Sequence, residues 1–235
     1  MSVKRVLNLG LDAPEPISGV EIIHRPIIQV VPRSKNDPDI QKMINYVKGC
    51  THLIFTSKMG VRIFCEYMSL PEGISCICVG KKTAAALKEC GYKAAWIADT
   101  ETAEGVVELL RKLDLRVKRV CWPHSALSRS VIASYLEEMG IEYKDCVLYD
   151  TLVNQEFQKV DMDGVDEIVF TSSSTVDAFV EIFGGLPQDK VLTPIGPVTA
   201  GRIDQQQRTD FNEVCGPELH SPGAIPFHAK CKSQF

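Results

Sequence analysis

Two copies of one short pattern give this chain its architecture. Phe55–Val61 (FTSKMGV) returns as Phe170–Val176 (FTSSSTV), and Val79–Ala84 (VGKKTA) returns as Ile195–Ala200 (IGPVTA). The two elements follow one another in the same order and almost equally far apart in each half. Two such matches are improbable by chance, so the pattern indicates an internal duplication.

Short apolar runs alternate with helix-length amphipathic segments around both copies. Apolar runs of this length predict buried strands, and apolar residues repeated at helical spacing predict helices. Alternation of this kind predicts parallel sheets with helices on both faces. The predicted strands cover residues 51–57, 75–79, 94–98, 119–122, 142–149, 168–172 and 191–195, and the predicted helices cover 60–68, 81–90, 103–113, 128–139 and 174–183.

The predicted fold class is α/β, with two similar domains whose parallel sheets are flanked by helices. Residues 1–32 and 152–235 are expected to form one discontinuous domain, and residues 33–151 the other. Two crossover strands, near Gln29–Pro32 and Leu148–Val153, are expected to join the domains as a two-stranded linker.

The composition limits the classes of function open to the chain. Its 235 residues, 45% hydrophobic and 24% charged, suit one large globular domain or two small ones. A net charge of −4 argues against a general nucleic-acid binder, but it allows a locally basic cleft for an anionic small molecule. No run is long and apolar enough to span a bilayer and no secretory signal is recognisable, so we expect a cytoplasmic protein without membrane contacts.

The nine cysteines do not form a metal-binding pattern. Cys76 and Cys78 make a C-x-C pair, but no second pair follows at the spacing typical of zinc sites. The odd count, together with the lack of an export signal, favours reduced thiols that act as small core residues. Metal binding and redox chemistry are the less favoured alternatives.

Hydroxyl side chains follow the first strand of each copy. Thr56 and Ser57 end one strand, Thr171 and Ser172 end the other, and a helix begins directly after each. The carboxyl ends of parallel strands are where open α/β sheets bind ligands, and helix N-termini favour carboxylate or phosphate. Two anion-tolerant edges are therefore expected to face each other, although each of these residues is also a good helix N-cap.

Gly80 and Gly196 follow the second strand of their copies and open the next helix. A residue without a side chain at this point lets a ligand approach the backbone. Pro197 suits the first turn of its helix. We therefore expect both helix starts to be accessible to an anionic ligand.

In order and content these elements resemble the uroporphyrinogen-III synthase family. The resemblance is carried by the paired FTS and GxxTA units, by the helix that contains Arg129 and by Val147–Thr151 (VLYDT), and it covers roughly residues 26–200. It implies a cleft between two α/β domains that admits linear hydroxymethylbilane. It also implies an enzyme that removes the hydroxyl, inverts ring D through a spiro intermediate and closes the macrocycle to uroporphyrinogen III in heme biosynthesis. A monomer without cofactor or metal is implied as well.

The resemblance assigns roles to residues of this chain. Tyr149 matches the family tyrosine just after the last strand of the middle domain, where a phenol donates a proton to the departing hydroxyl. The alternative is a tyrosine that simply packs between the linker strands. The residues expected to bind the substrate are Thr56, Ser57, Thr83, Arg129, Ser172, Ser173 and Thr199.

A polycarboxylate substrate also needs a few cations in the cleft. Arg129 is favoured, because it stands at the start of a predicted helix. Other candidates, each of which is more often a solvated surface residue, are Lys58, Arg62, Lys81 and Lys82.

The end of the chain departs from the family pattern. After Ala200 the helical pattern is poor, because Ile203 is the one apolar anchor between residues 201 and 208. Residues 224–235 are expected to be loosely ordered. These departures keep an alternative open, a catalytically degraded bilobed module that binds a ligand or has a regulatory role.

Overall fold

The chain folds into ten strands and seven helices over the residues that the computed structural model describes, which are 3–113, 115 and 118–215, with side chains placed through 208. No helix in this part of the chain is long and apolar enough to cross a membrane. The strands are β1 Lys4–Asn8, β2 Val20–His24, β3 Ile28–Pro32, β4 His52–Phe55, β5 Ser75–Cys78, β6 Ala94–Ile97, β7 Arg119–Ser125, β8 Glu142–Val153, β9 Glu167–Phe170 and β10 Val191–Pro194. The helices are α1 Pro38–Val47, α2 Lys58–Tyr67, α3 Lys81–Glu89, α4 Ala103–Lys112, α5 Val131–Glu138, α6 Ser173–Phe183 and α7 Pro197–Cys215.

Two sheets organise these elements. One has four parallel strands in the order β10-β9-β1-β2, and the other has six strands in the order β3-β8-β7-β4-β5-β6. All pairs of the six-stranded sheet are parallel except β3 with β8. The prediction of an α/β fold with two similar units, parallel sheets and flanking helices is confirmed. The predicted domain boundaries, after residues 32 and 151, stay a prediction.

The six-stranded sheet has an apolar core on each face, and the alternation of side chains along a strand places neighbouring residues in different cores. Leu53 and Phe55 of β4 pack on the face covered by α1, α2 and α3, and Ile54 packs on the face covered by α4 and α5. Cys76 and Cys78 lie in the first of these cores, where burial raises the pKa of each thiol to about 12. Both cysteines are therefore neutral core residues, as predicted.

The four-stranded sheet has a core of its own. Leu7 of β1 and Phe170 of β9 are fully buried. The ring of Phe170 meets that of Phe179 of α6 edge to face, with 5.5 Å between the centroids. Ile203 of α7 belongs to the same cluster. One apolar cluster thus holds both helices against this sheet.

The strands β3 and β8 connect the two units. They pair antiparallel, from Ile28 with Val153 to Pro32 with Tyr149. Ile28 and Val153 pack in the core of the four-stranded sheet, whereas Val30 and Tyr149 pack in a core of the six-stranded sheet. Each strand begins in one core and ends in the other, so the predicted two-stranded linker is confirmed.

The segment after Ala200, whose helical pattern is poor, nevertheless forms a continuous helix, α7. Ile203 is 5% exposed and anchors α7 in the core. The guanidinium of Arg202 pairs with the carboxylate of Asp177 of α6. Packing on α6 therefore supplies the stabilisation that the apolar pattern of α7 lacks. Residues 224–235, which were expected to be loosely ordered, lie outside the described part of the chain.

Replacement of Phe170→Ala is expected to destabilise the four-stranded unit by about 3–5 kcal/mol, because it leaves a cavity beside Phe179. Urea unfolding followed by circular dichroism measures the loss. The control is Val191→Ala in the same sheet, where the residue is 58% exposed and the change should stay within about 0.5 kcal/mol. Equal losses in the two variants would contradict the assignment of this core.

Candidate functional site

A cavity of about 780 Å³ lies between the two sheets. Its wall includes Thr56 and Ser57 after β4, Thr171 and Ser172 after β9, and Tyr149 of the linker. The hydroxyl groups meet here because each pair stands at the carboxyl end of a parallel strand. The structure therefore brings the hydroxyl groups of both copies of the repeat to one cleft.

Ser57 ties the linker tyrosine to the first turn of α2. Its Oγ accepts a hydrogen bond from the backbone N–H of Gly60 at 2.8 Å, so Ser57 is the N-cap of this helix. The same oxygen lies 2.8 Å from the phenol oxygen of Tyr149, and either hydroxyl can be the donor of that bond. The position of the phenol is therefore linked to the cap of the helix.

Tyr149 keeps its proton at physiological pH. The residue is 5% exposed, and burial raises the pKa of its phenol, although hydrogen bonds with Ser57 and Ser125 act in the opposite direction. A buried phenol with a raised pKa remains available as a hydrogen-bond donor. The ring packs in the core, as the alternative interpretation holds, while the side chain also lines the cavity.

Tyr149 stands where β8 changes its partner. Upstream residues pair in parallel with β7, and residues from Tyr149 onward pair antiparallel with β3. The pairing of β7 with β8 shifts register at this point, between His124 and Ser125, so that Ser125 pairs with Tyr149. Ser125 thereby reaches the cavity wall, although it was not among the residues predicted from the sequence. Its place at the end of a parallel strand is the signal that identifies it.

Ser172 has the same place in the second copy but a different partner. Its Oγ accepts a hydrogen bond from the backbone N–H of Thr175 at 3.4 Å and lies 2.8 Å from the hydroxyl oxygen of Ser174. The hydroxyl oxygen of Thr175 accepts a bond from the backbone N–H of Ser172 at 3.3 Å, which completes a capping box. The roles of helix cap and cavity residue therefore coexist in Ser172.

Four of the residues predicted to bind substrate do not line the cavity. Thr83 and Thr199 are buried in the first turns of α3 and α7. The hydroxyl of Ser173 donates to the backbone carbonyl oxygen of Val198 at 3.4 Å. The fourth residue is Arg129.

Arg129 forms a bidentate ion pair with Glu104 of α4. The two distances between guanidinium nitrogen and carboxylate oxygen are 2.5 and 2.9 Å. The hydrogen bond with Arg129 lowers the pKa of Glu104 to about 2. Because α5 begins at Val131, Arg129 lies in the loop before the helix rather than at its start. Among the described residues, the cations on the cavity wall are Lys58 and Lys82 instead.

The two copies differ at the glycines before α3 and α7. A Cβ atom at Gly80 would collide with the carboxyl group of Glu101, whose Oε1 accepts a hydrogen bond from the backbone N–H of Lys81 at 3.0 Å. A Cβ atom at Gly196 would meet no described heavy atom within 4 Å beyond its own chain neighbours. In the first copy the carboxylate of Glu101 therefore occupies the N-terminus of α3. In the second copy the space beside Gly196, before α7, is open.

The sequence is similar to proteins of one family. The family model described as uroporphyrinogen-III synthase HemD matches residues 17–212. A relative from Methanothermobacter thermautotrophicus, named for the same synthase, is 28% identical over 141 residues, which cover 54% of this chain and 56% of the relative. The porphyrin biosynthesis protein HemD of Ruminiclostridium josui is 27% identical over 200 residues, which cover 77% of this chain and 38% of the relative. The chain thus spans about half or less of the length of these curated relatives.

Crystal structures of uroporphyrinogen III synthases have the same fold. A mutant of the Thermus thermophilus protein matches with a TM-score of 0.59 at 17% identity, covering 87% of this chain and 89% of its own. The Helicobacter pylori protein, named uroporphyrinogen-III synthetase, matches with a TM-score of 0.58 at 19% identity and the same two coverages, 87% and 89%. At this level of identity the likeness establishes the fold.

The change Gly80→Ala is expected to push Glu101 away from α3 and to destabilise the protein by about 1 kcal/mol, the usual cost of a lost helix cap. Gly196→Ala is the matched control in the second copy, and it should change stability by less than about 0.5 kcal/mol. Thermal unfolding of both variants measures the difference. In a Glu101→Ala background, Gly80→Ala should destabilise the protein less than it does in the wild type. An equal loss of stability in both backgrounds would mean that Glu101 does not cap α3.

Proposed function

Because the chain belongs to the uroporphyrinogen-III synthase family, we propose that it converts hydroxymethylbilane to uroporphyrinogen III. The observation that carries the proposal is the buried phenol of Tyr149, hydrogen-bonded to Ser57 on the wall of the cleft between the sheets. The reaction removes the terminal hydroxyl as water, inverts ring D through a spiro intermediate and closes the macrocycle.

The cleft suits a polycarboxylate that must bend back on itself. Its volume of about 780 Å³ is within the range of small-molecule sites, and both sheets and the linker contribute to its wall. Ser57 and Ser172 cap α2 and α6, whose N-terminal ends favour carboxylates. A substrate held between these two edges has its terminal rings close together, so that positioning supplies much of the catalysis.

Tyr149 is the proposed proton donor. The lone pair of the terminal pyrrole nitrogen expels the hydroxyl group from the hydroxymethyl carbon, and the phenol proton converts that group to water. The electrophilic carbon that remains bonds to the substituted α-carbon of ring D, which gives the spiro intermediate. The bond from that α-carbon to the bridge carbon of ring C then breaks, and the released bridge carbon bonds to the free α-carbon of ring D, which inverts the ring and closes the macrocycle. The proton that leaves the pyrrole when its aromaticity is restored returns to the Tyr149 oxygen. The raised pKa of this phenol ensures that its proton is present when the substrate binds.

We assign the binding of the substrate carboxylates to hydroxyl groups on the cavity wall, those of Thr56, Ser57 and Ser172. Arg129 would have to leave Glu104 before it could reach a substrate. Direct contact with substrate stays a prediction for the hydroxyls that lie off the wall, those of Thr83, Ser173 and Thr199.

The proposed enzyme needs one copy of the chain, because a single chain provides both sides of the cleft and the linker. A monomer is therefore the proposed active form. Its cytoplasmic location, and its independence of nucleic-acid and membrane partners, stay predictions.

The purified chain is expected to convert hydroxymethylbilane, supplied by a bilane-forming enzyme, to uroporphyrinogen III. Separation of the porphyrin isomers after oxidation measures the product. Spontaneous closure without ring inversion gives isomer I, so a product mixture no richer in isomer III than the enzyme-free control would exclude the synthase activity.

Tyr149→Phe is expected to lower kcat by about a hundredfold, because the departing hydroxyl loses its proton donor while the ring still fills the core. Tyr143→Phe is the matched control, since Tyr143 lies in the same strand but donates its hydrogen bond to Glu137 at 2.6 Å. Circular dichroism checks that both variants fold. If the two variants turn over equally fast, Tyr149 has no part in the chemistry.

A further inference from the structure

Opposite charges are balanced on the wall of the cleft. Among the described residues that line it, Lys58 and Lys82 are cationic, whereas Asp12 and Glu15 are anionic. The wall therefore has no excess of positive charge with which to bind a polycarboxylate. At Lys58, which is paired with Asp12, a substrate carboxylate gains the cation only when the internal carboxylate gives it up.

An ion pair between Lys58 and Asp12 crosses the cleft. Lys58 begins α2 beside the six-stranded sheet, whereas Asp12 follows β1 of the four-stranded sheet. The side chain of Lys58 is 29% exposed and that of Asp12 is 57% exposed. Lys58 is thus the more buried partner, and it depends more strongly on having an anion beside it.

Positive charge is crowded around Lys58. Burial lowers the pKa of its ammonium group, and the charges of Arg62 and Lys82 lower that pKa further, although Glu89, which is paired with Arg62, acts in the opposite direction. Lys58 and Lys82 also stand in the first turns of α2 and α3, where the helix dipole opposes a cation. Anions stabilise such a cluster, and Asp12 supplies one from the opposite side of the cleft.

We propose that Lys58 is a substrate-binding residue whose ammonium group exchanges the carboxylate of Asp12 for a carboxylate of the substrate, with Lys82 beside it as the second cation. The inference rests on the proposed function and names residues that bind its polycarboxylate substrate. Asp12 is then an internal competitor, which ligands with few carboxylates displace poorly. The exchange is accessible because partly exposed ion pairs contribute little net stability.

Changes at the two ends of this ion pair are expected to have opposite effects. Lys58→Gln should raise the KM for hydroxymethylbilane about tenfold with kcat nearly unchanged, because a charged hydrogen bond to substrate is lost. Asp12→Asn should lower KM about threefold, because the competitor loses its charge. In the Lys58→Gln background the Asp12→Asn change should have no further effect, and Lys58→Arg should retain most of the affinity.

The ion pair between Lys42 and Asp39 of α1 provides the matched control. It also joins a lysine to an aspartate, at 2.8 Å, but neither residue lines the cleft. Lys42→Gln and Asp39→Asn should therefore leave KM unchanged. Lys58→Gln should not lower the free energy of unfolding, since it removes a cation from a helix N-terminus.

Equilibrium binding of uroporphyrin III, followed by the quenching of its fluorescence, separates this inference from the proposed function. The same order of affinities, with Asp12→Asn tightest and Lys58→Gln weakest, supports the inference even for a chain that forms no isomer III. An active wild type whose Lys58→Gln variant behaves like Lys42→Gln overturns the inference and leaves the proposed function standing. Binding by Asp12→Asn that is equal to or weaker than that of the wild type also overturns it, because Asp12 would then not compete with the ligand.

Discussion

The antiparallel pairing of β3 with β8 is the constraint on which the rest of the molecule depends. β8 is also paired with β7, so the linker continues the six-stranded sheet, while at its far end Ile28 is buried in the core of the four-stranded sheet and the half-buried Val153 packs against that core. Two cores that are each formed by their own helices thereby share one cleft. In this arrangement the hydroxyl groups of both repeats line the same cleft.

Features that depend on local chemistry were predictable from the sequence. Strands and helices alternate as the apolar pattern indicates, because each helix buries one stripe and the inner strands of the six-stranded sheet are covered by helices on both faces. Ser57 and Ser172 accept the capping hydrogen bonds of the helices that follow them. The position of Tyr149 on the cleft follows from the same local order, since it lies at the end of the last parallel strand pairing.

Features that escaped prediction depend on side chains far apart in the chain. Arg129 has the local signals of an anion-binding residue, but Glu104 of α4 occupies its guanidinium. The pattern of α7 is weak when taken alone, and Ile203 becomes a sufficient anchor only through contact with the core around α6. The helix N-terminus beside Gly80 is filled by Glu101 from the loop before α4. None of these contacts can be predicted from the spacing of residues in the sequence, because each depends on how different helices and strands pack together.

The place of Tyr149 in the linker has a mechanical consequence for the proposed chemistry. A rotation of the two units about the paired strands displaces each atom in proportion to its distance from that axis. The Tyr149 backbone lies on this axis, where it pairs with Pro32, so a rotation would displace its phenol little. Groups at the rim of the cleft lie farther from the axis and would be displaced more. A rotation of this kind would widen the mouth of the cleft and leave the proton donor aligned with Ser57.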